Sequence, residues 1–286
     1  MTSTQQEIVL DRGNDTNVRV NLHGATVVSW LYLGTELLFV SEKAVYDNKK
    51  AIRGGIPVVF PNFGPWDLGP QHGFARTSTW TIEEQPSKLP NGDVWAVLSL
   101  EDNEQTRKQW NFKFQLKYLL TLKENSFHMD FKVINCDDKS FSFTCLLHTY
   151  FGVPDVRKCK ISGLQELTYV DKVASGERFS EAKEQVTISE NVDRVYEKTP
   201  AYWEHLVTAV NGGYCISLQK HNMPDTVVWN PWIEKAKAMT DFGDDEYLKM
   251  LCVEAGYVSE PFTLKAGEIY EGTQVLIALP ASDSSL

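Results

Sequence analysis

The run Met250-Leu251-Cys252-Val253-Glu254-Ala255-Gly256 is apolar except for one carboxylate at its centre. Carboxylates seldom occupy such places. Burial there raises the pKa toward neutrality, where a general base working near pH 7 is wanted. Glu254 is therefore the first candidate for chemistry; the alternative is a buried ion pair with an arginine. His148 is the second. The stretch Ser140 to Tyr150 alternates Phe141, Phe143, Cys145 and Leu147 with Ser142, Thr144, Leu146 and His148, so on a strand His148 ends the more polar row. It stands where Thr149-Tyr150-Phe151-Gly152 leaves the sheet. A histidine at a strand end is usually structural, yet strand ends beside loops are also where pockets open.

Two loops supply groups that bind rather than react. In Arg53 to Pro65, RGGIPVVFPNFGP, glycines and prolines surround a Val-Val-Phe core. Such a segment cannot be a regular strand throughout, and reads as a rigid pocket wall or as a tight connection between sheets. Gly69 to Arg76, GPQHGFAR, packs the amide of Gln71, the imidazole of His72, an aromatic ring and the guanidinium of Arg76 into one short loop. The formal net charge of −10 argues against nucleic acid or an anionic membrane as main partner. A small anion needs only local cations, and Arg53 and Arg76 meet that need for a phosphate or carboxylate. Pairing of each with a surface carboxylate is the alternative. No HxH, HExxH, CxxC, P-loop, GxGxxG or GxSxG pattern is present, so zinc, nucleotide and serine-hydrolase readings lack support. What is left is acid/base chemistry with no cofactor and no metal.

Strand signals dominate the elements that must position these groups. Val18 to Leu22, Ala25 to Tyr32, Val94 to Leu100, Phe112 to Lys123, Ser126 to Asn135, Ser140 to Tyr150, Tyr214 to Lys220, Thr226 to Asn230, Lys249 to Ala255 and Glu271 to Ala278 show alternation or β-branched and aromatic enrichment. Helical period is nearly absent, with single turns expected near Pro200 to Glu204 and Asp244 to Lys249. Turn clusters at Leu89 to Asp93, Asn135 to Lys139 and Lys265 to Glu268 suit hairpins of an antiparallel sheet. The more polar Asp171 to Tyr196 reads as an excursion over the sheet surface. No linker or repeat divides the 286 residues, so one all-β domain, a large antiparallel sandwich over 1–286, is expected. No apolar run reaches the roughly 20 residues of a membrane span. The N-terminal segment has no secretory pattern, and five cysteines, an odd number without CxxC spacing, read as reduced core residues of a cytosolic protein.

RGGIPVVFPNFGP, QHGFAR (Gln71 to Arg76), LLHTYF (Leu146 to Phe151), VVWNPW (Val227 to Trp232) and CVEAGYV (Cys252 to Val258) occur in this order along the chain. Together they resemble the glucose-6-phosphate 1-epimerases, or hexose-6-phosphate mutarotases, of the galactose mutarotase-like superfamily. The resemblance covers nearly the whole chain, and the motif positions show no departure from the family pattern. It implies a β-supersandwich that interconverts the α and β anomers of a hexose 6-phosphate through the open-chain aldehyde; a cytoplasmic monomer is expected beside it. By that likeness His148 protonates the ring oxygen and Glu254 takes the anomeric hydroxyl proton, a division of labour that separated environments can support. Arg53 and Arg76 are implied to hold the phosphate, and Gln71 and Asp193 to contact the sugar. Asp193 rests on the resemblance alone, since its loop-like surroundings read as solvated. His72 is a further candidate for a sugar hydroxyl. Trp229 and Trp232 are candidates for stacking on the sugar, with a core position as the alternative. Two rival functions remain: a sugar-binding protein on the same fold, and a mutarotase for unphosphorylated aldoses.

Overall fold

In the computed structural model, which describes residues 6–200 and 204–280, the difference between alternating and continuous apolar runs decides where each strand lies. Phe114–Leu122 alternates buried and half-buried side chains without a break, as a strand with one face on a core must. Asp225–Asn230 is buried at all six positions, and Met250–Leu264 is buried from Met250 through Gly256. These two are covered on both faces. They sit side by side at the centre of an eight-stranded antiparallel sheet.

That sheet runs Glu177–Ser180, Thr168–Asp171, Val192–Tyr196, Asp225–Asn230, Met250–Leu264, Phe141–Leu147 and Val58–Val59, with Tyr150–Gly152 also paired to Met250–Leu264. A nine-stranded sheet, centred on Cys215–His221, Ile269–Leu279, Ser126–Asn135 and Phe114–Leu122, packs on one face of it. A four-stranded N-terminal sheet, Glu7–Gly13 to Thr35–Glu36, completes the all-β architecture expected from the sequence. The main core holds Phe143, Cys145, Leu147 and Val253 together with Leu116, Leu120, Phe127 and Leu276. A second cluster lies on the other face of the eight-stranded sheet, where Val59, Leu146, Tyr150, Val227, Trp229 and Cys252 pack with Ala236, Phe242 and Tyr247. The alternation read at Phe141 to His148 thus separates two cores.

Several local expectations turn out differently. Leu89 to Asp93 closes the hairpin between Thr81–Lys88 and Val94–Glu101, but Asn135 to Lys139 and Lys265 to Glu268 each join strands of different sheets. The polar Asp171 to Tyr196 segment is no excursion: Val192–Tyr196 pairs with Asp225–Asn230, and Thr168–Asp171 and Glu177–Ser180 extend the same sheet outward. Of the two expected helical turns, Glu246–Lys249 forms a 3₁₀ turn. The other falls partly on residues 201–203, outside the described residues, and Glu204 already begins a strand. Two short helices escape the sequence reading, Glu104–Gln109, capped by the Asn103 side chain, and Trp232–Ala238. Among the described residues no helix is long and apolar enough to cross a membrane.

Candidate active site

Antiparallel pairing joins Leu147 to Ala255 and Tyr150 to Cys252. Between these two pairs the ladder is interrupted. The His148 N–H turns to the Pro57 carbonyl (3.0 Å) and the Thr149 N–H to the Leu147 carbonyl (2.9 Å). His148 is thereby left opposite Glu254, and its Nδ1 lies 3.3 Å from Glu254 Oε2. His148 is 7% exposed and Glu254 1%. Tyr150 stacks on the imidazole at 4.6 Å and 11°, while Trp229 meets it edge-on at 5.9 Å, so packing fixes the ring plane.

These groups open onto a cavity of about 450 Å³ lined also by Arg53, Gln71, Arg76 and Asp193. The size is ordinary for a small-molecule site. The six residues Arg53, Gln71, Arg76, His148, Asp193 and Glu254 therefore share one pocket, although they come from five separate stretches of chain. Gly54 and Gly55 let the Arg53 wall approach closely: Gly55 has φ 67° and a Cβ there would collide with the Val27 carbonyl. Gly73, φ 72°, packs as tightly against Phe60 and sets the Gln71-His72 loop against that wall. His72 also lines the cavity. Its Nδ1 accepts the Gly64 N–H at 3.0 Å, which places the imidazole proton on Nε2; the Gln71 carboxamide, 3.3 Å away, then accepts it only with its oxygen turned toward the ring. Burial and the charges of Arg76, Lys172 and Arg53 push its pKa down to about 2, so His72 is neutral and a hydrogen-bonding group only. Of the tryptophans, Trp229 lines the cavity. Trp232 opens the helix Trp232–Ala238 and, half-buried, packs on Tyr247 at 5.1 Å against the edge of the core.

Four cavity cations surround the pair. Arg53 donates to Asp241 (3.2 Å) and to the Tyr150 hydroxyl (3.3 Å). Burial pulls its pKa down, but Tyr150 and Asp241 outweigh it and hold Arg53 above its ordinary value. Arg76 donates to the Gln71 carbonyl at 2.7 Å and leaves its buried Nε without a hydrogen-bond partner among the described residues. Burial lowers its pKa to about 10, which leaves it charged near neutrality. Lys172 places its ammonium 4.0 Å over the Phe63 ring, and Lys235 pairs with Asp193 at 3.4 Å. Neither lysine, nor Asp241, was legible in the sequence. Lys172 follows a strand in the segment read as a surface excursion, and Lys235 rides a helix whose period was too short to detect. Tyr150 was legible in principle, because a strand places residues 148 and 150 in one row.

Burial drives Glu254 well above the ordinary carboxylate value; Asp193 adds to the rise and Lys172 opposes it. Burial likewise drives His148 well below the ordinary imidazole value, with help from His72, Arg76 and Arg53. Both Glu254 oxygens and His148 Nδ1 lack a hydrogen-bond partner among the described residues. Each such atom costs about 1–3 kcal/mol, an expense of the kind found at sites that work on a ligand. His148, Cys252 and Glu254 also bring three donor atoms within 4.8 Å of one another, a nitrogen, sulfur and oxygen set of zinc type. Arg53, Arg76, Lys172 and Lys235 surround it, however, and like charge opposes a dication there while favouring an anion. The arrangement can move a proton between an acid and a base beside an anionic group.

Comparison with known proteins gives a consistent picture. The family model described as aldose 1-epimerase matches residues 6–276. A protein from Cenchrus ciliaris, named as a candidate glucose-6-phosphate 1-epimerase, is 38% identical over 97% of this chain and 86% of its own. One of the same name from Escherichia coli is 34% identical over 84% of this chain and 79% of its own. The crystal structure of a candidate mutarotase from Salmonella typhimurium superposes with a TM-score of 0.83, 27% identity, and coverage of 92% of this chain and 87% of that one.

Proposed function

The chain belongs to the aldose 1-epimerase family, and we propose that it interconverts the α and β anomers of a hexose 6-phosphate, glucose 6-phosphate foremost. The observation that carries this reading is a buried Glu254 carboxylate in ion-pair contact with His148 at 3.3 Å and without a hydrogen bond among the described residues, in a cavity that also presents the Arg76 guanidinium. Two relatives named for glucose 6-phosphate support the substrate.

In this reading Glu254 takes the proton of the anomeric hydroxyl and the freed electron pair forms the C1 carbonyl. The bond from C1 to the ring oxygen breaks, and the ring oxygen takes a proton from His148. Rotation about C1–C2 presents the other carbonyl face. Closure then runs the same steps backward, returning one proton to His148 and removing one from Glu254. The phosphate sits on C6, beside the carbon that carries the ring oxygen, so it belongs on the acid's side of the sugar. Arg76 and Arg53 are the cations that weigh on His148, whereas Asp193 and Lys172 weigh on Glu254. We therefore assign Arg53 and Arg76 to the phosphate, and Asp193 and Gln71 to the sugar hydroxyls. Burial favours the neutral form of the pair, with its proton on Glu254. A phosphate held by the two arginines cancels positive charge facing His148 and draws that proton to the imidazole, where the reaction needs it. In the same reading the chain works as one cytosolic domain without a cofactor; the thiols of Cys145, Cys159 and Cys252 are buried as a reduced core requires, whereas Cys136 is exposed and Cys215 half-buried, so these two are not the core residues the sequence suggested.

Anomerisation of freshly dissolved α-glucose 6-phosphate, followed by NMR against buffer and against free glucose, tests this. Acceleration confined to the phosphate ester is expected. Binding without acceleration would make this a sugar-phosphate-binding protein on the epimerase fold, and equal acceleration of free glucose would remove the phosphate preference. Arg76→Ala is expected to raise KM for the phosphate ester by about 10- to 100-fold, the scale of a lost charge-assisted hydrogen bond, without lowering the rate on free sugar. Equal loss on both substrates would strip Arg76 of its phosphate role.

A further inference from the structure

Ile269–Leu279 is a strand of the nine-stranded sheet whose inward row reads Tyr270, Gly272, Gln274, Leu276 and Ala278. Gln274 is a carboxamide in an otherwise largely apolar row, with no exposed surface. Such a group is expensive in a core unless its hydrogen bonds are made. Gln274 makes them across the sandwich. Its Nε2 donates to Thr149 Oγ1 at 2.9 Å, and its Oε1 accepts the Ala255 N–H at 3.4 Å. Thr149 follows His148 and Ala255 follows Glu254. The Thr149 contact falls where the ladder between Leu147–Ala255 and Tyr150–Cys252 is interrupted, and the Ala255 contact falls on the last paired residue before that break, so the Gln274 side chain bridges the edge of the gap in which His148 faces Glu254. The Thr149 hydroxyl in turn donates to the Leu147 carbonyl at 3.3 Å, which extends the chain of bonds into the strand before the break.

We propose that Gln274 is a positioning residue, a bridge from the opposite sheet that holds His148 and Glu254 at their working separation. The role rests on the acid/base reading of that pair. It touches no substrate, so its loss acts on the geometry of proton transfer, where a small misplacement far from the chemistry can cost up to about 10²-fold in rate.

Gln274→Leu, which keeps the volume and suits the core, is expected to lower kcat by about 10- to 100-fold and leave KM for glucose 6-phosphate within about twofold. Thr149→Val removes the same hydrogen bond from its other end and carries the test if Gln274→Leu does not fold. A double-mutant cycle separates positioning from stability. Replacing both partners by apolar groups of similar shape relieves the unpaired Thr149 hydroxyl, though not the Ala255 N–H, so the Thr149→Val/Gln274→Leu protein is expected to recover part of the Tm lost in Gln274→Leu while kcat stays low. Recovery of kcat in step with Tm, or wild-type kcat in either single variant, overturns the positioning role. Glu254→Gln is assayed beside them. If it is inactive and Gln274→Leu is normal, only the positioning role falls; if Glu254→Gln is itself active, the acid/base reading fails and takes this role with it.

Discussion

Glu254→Gln lowers turnover of α-glucose 6-phosphate by about 10²- to 10⁴-fold, the scale of a lost general base, and leaves a protein that folds. Glutamine keeps the shape of the side chain but cannot accept the anomeric proton. Stability is expected to move the other way. Burial, seconded by Asp193, raises the Glu254 pKa above its ordinary 4.5. A group raised in the folded state lends its full stability below its unfolded pKa and loses it as pH climbs through the folded value. Wild type therefore falls behind Glu254→Gln progressively above pH 4.5, and the glutamine variant melts at a higher temperature at pH 7 to 8. Thermal melts across pH 4 to 8, with anomerisation rates corrected for the uncatalysed reaction, check both halves. Near-wild-type turnover in a folded Glu254→Gln protein would falsify the proposed base.

His148→Gln is expected to lower turnover by at least about 10²-fold, with KM for glucose 6-phosphate little changed because Arg53 and Arg76 remain. The pH profile carries more information than the rate. His148 and Glu254 face each other at 3.3 Å, so their protons belong to the pair. The reactive pair holds one proton between the depressed value of the imidazole and the raised value of the carboxyl. For wild type, kcat/KM is thus expected to hold through neutrality, declining on the alkaline side as the pair gives up that proton. In kcat at saturating substrate, where the ionisation of the free phosphate ester at about pH 6 does not enter, a limb rising through the ordinary imidazole range would contradict the buried pair. Stability follows the opposite sign from Glu254. A depressed imidazole contributes stability above its unfolded value and loses it as pH falls from 6.5 through the folded value, so wild type loses ground to His148→Gln on acidification.

Glu254 was legible in the sequence because one carboxylate in an apolar run is a local anomaly, visible without knowing what packs around it. His148 was legible more weakly, as the last member of an alternating row. Arg53, Gln71 and Arg76 stood out because glycines and prolines around them forbade ordinary strand geometry. Asp193 had no such signal. It was reached only through likeness to a family, and its place on Val192–Tyr196 became physical when that strand paired with Asp225–Asn230. Lys172, Lys235 and Asp241 stayed hidden because charged residues in polar stretches resemble solvated surface until the fold shows what they face.

The sequence by itself determined the strand-rich class, the rows of side chains on its clearest strands and the chemical types available to the site, since each depends on backbone periodicity and side-chain character within a few residues. The tertiary structure alone decided that the turns at Asn135 to Lys139 and Lys265 to Glu268 cross between sheets, because turn chemistry bends the chain in the same way whichever sheet receives the next strand. It alone decided that Trp229 lines the cavity while Trp232, half-buried, packs against the core on Tyr247. The meeting of His148 with Glu254, and of Gln274 with the segments that carry them, was likewise decided by register and by the packing of one sheet on another. Those are contacts between residues far apart in the chain, and no local pattern encodes them.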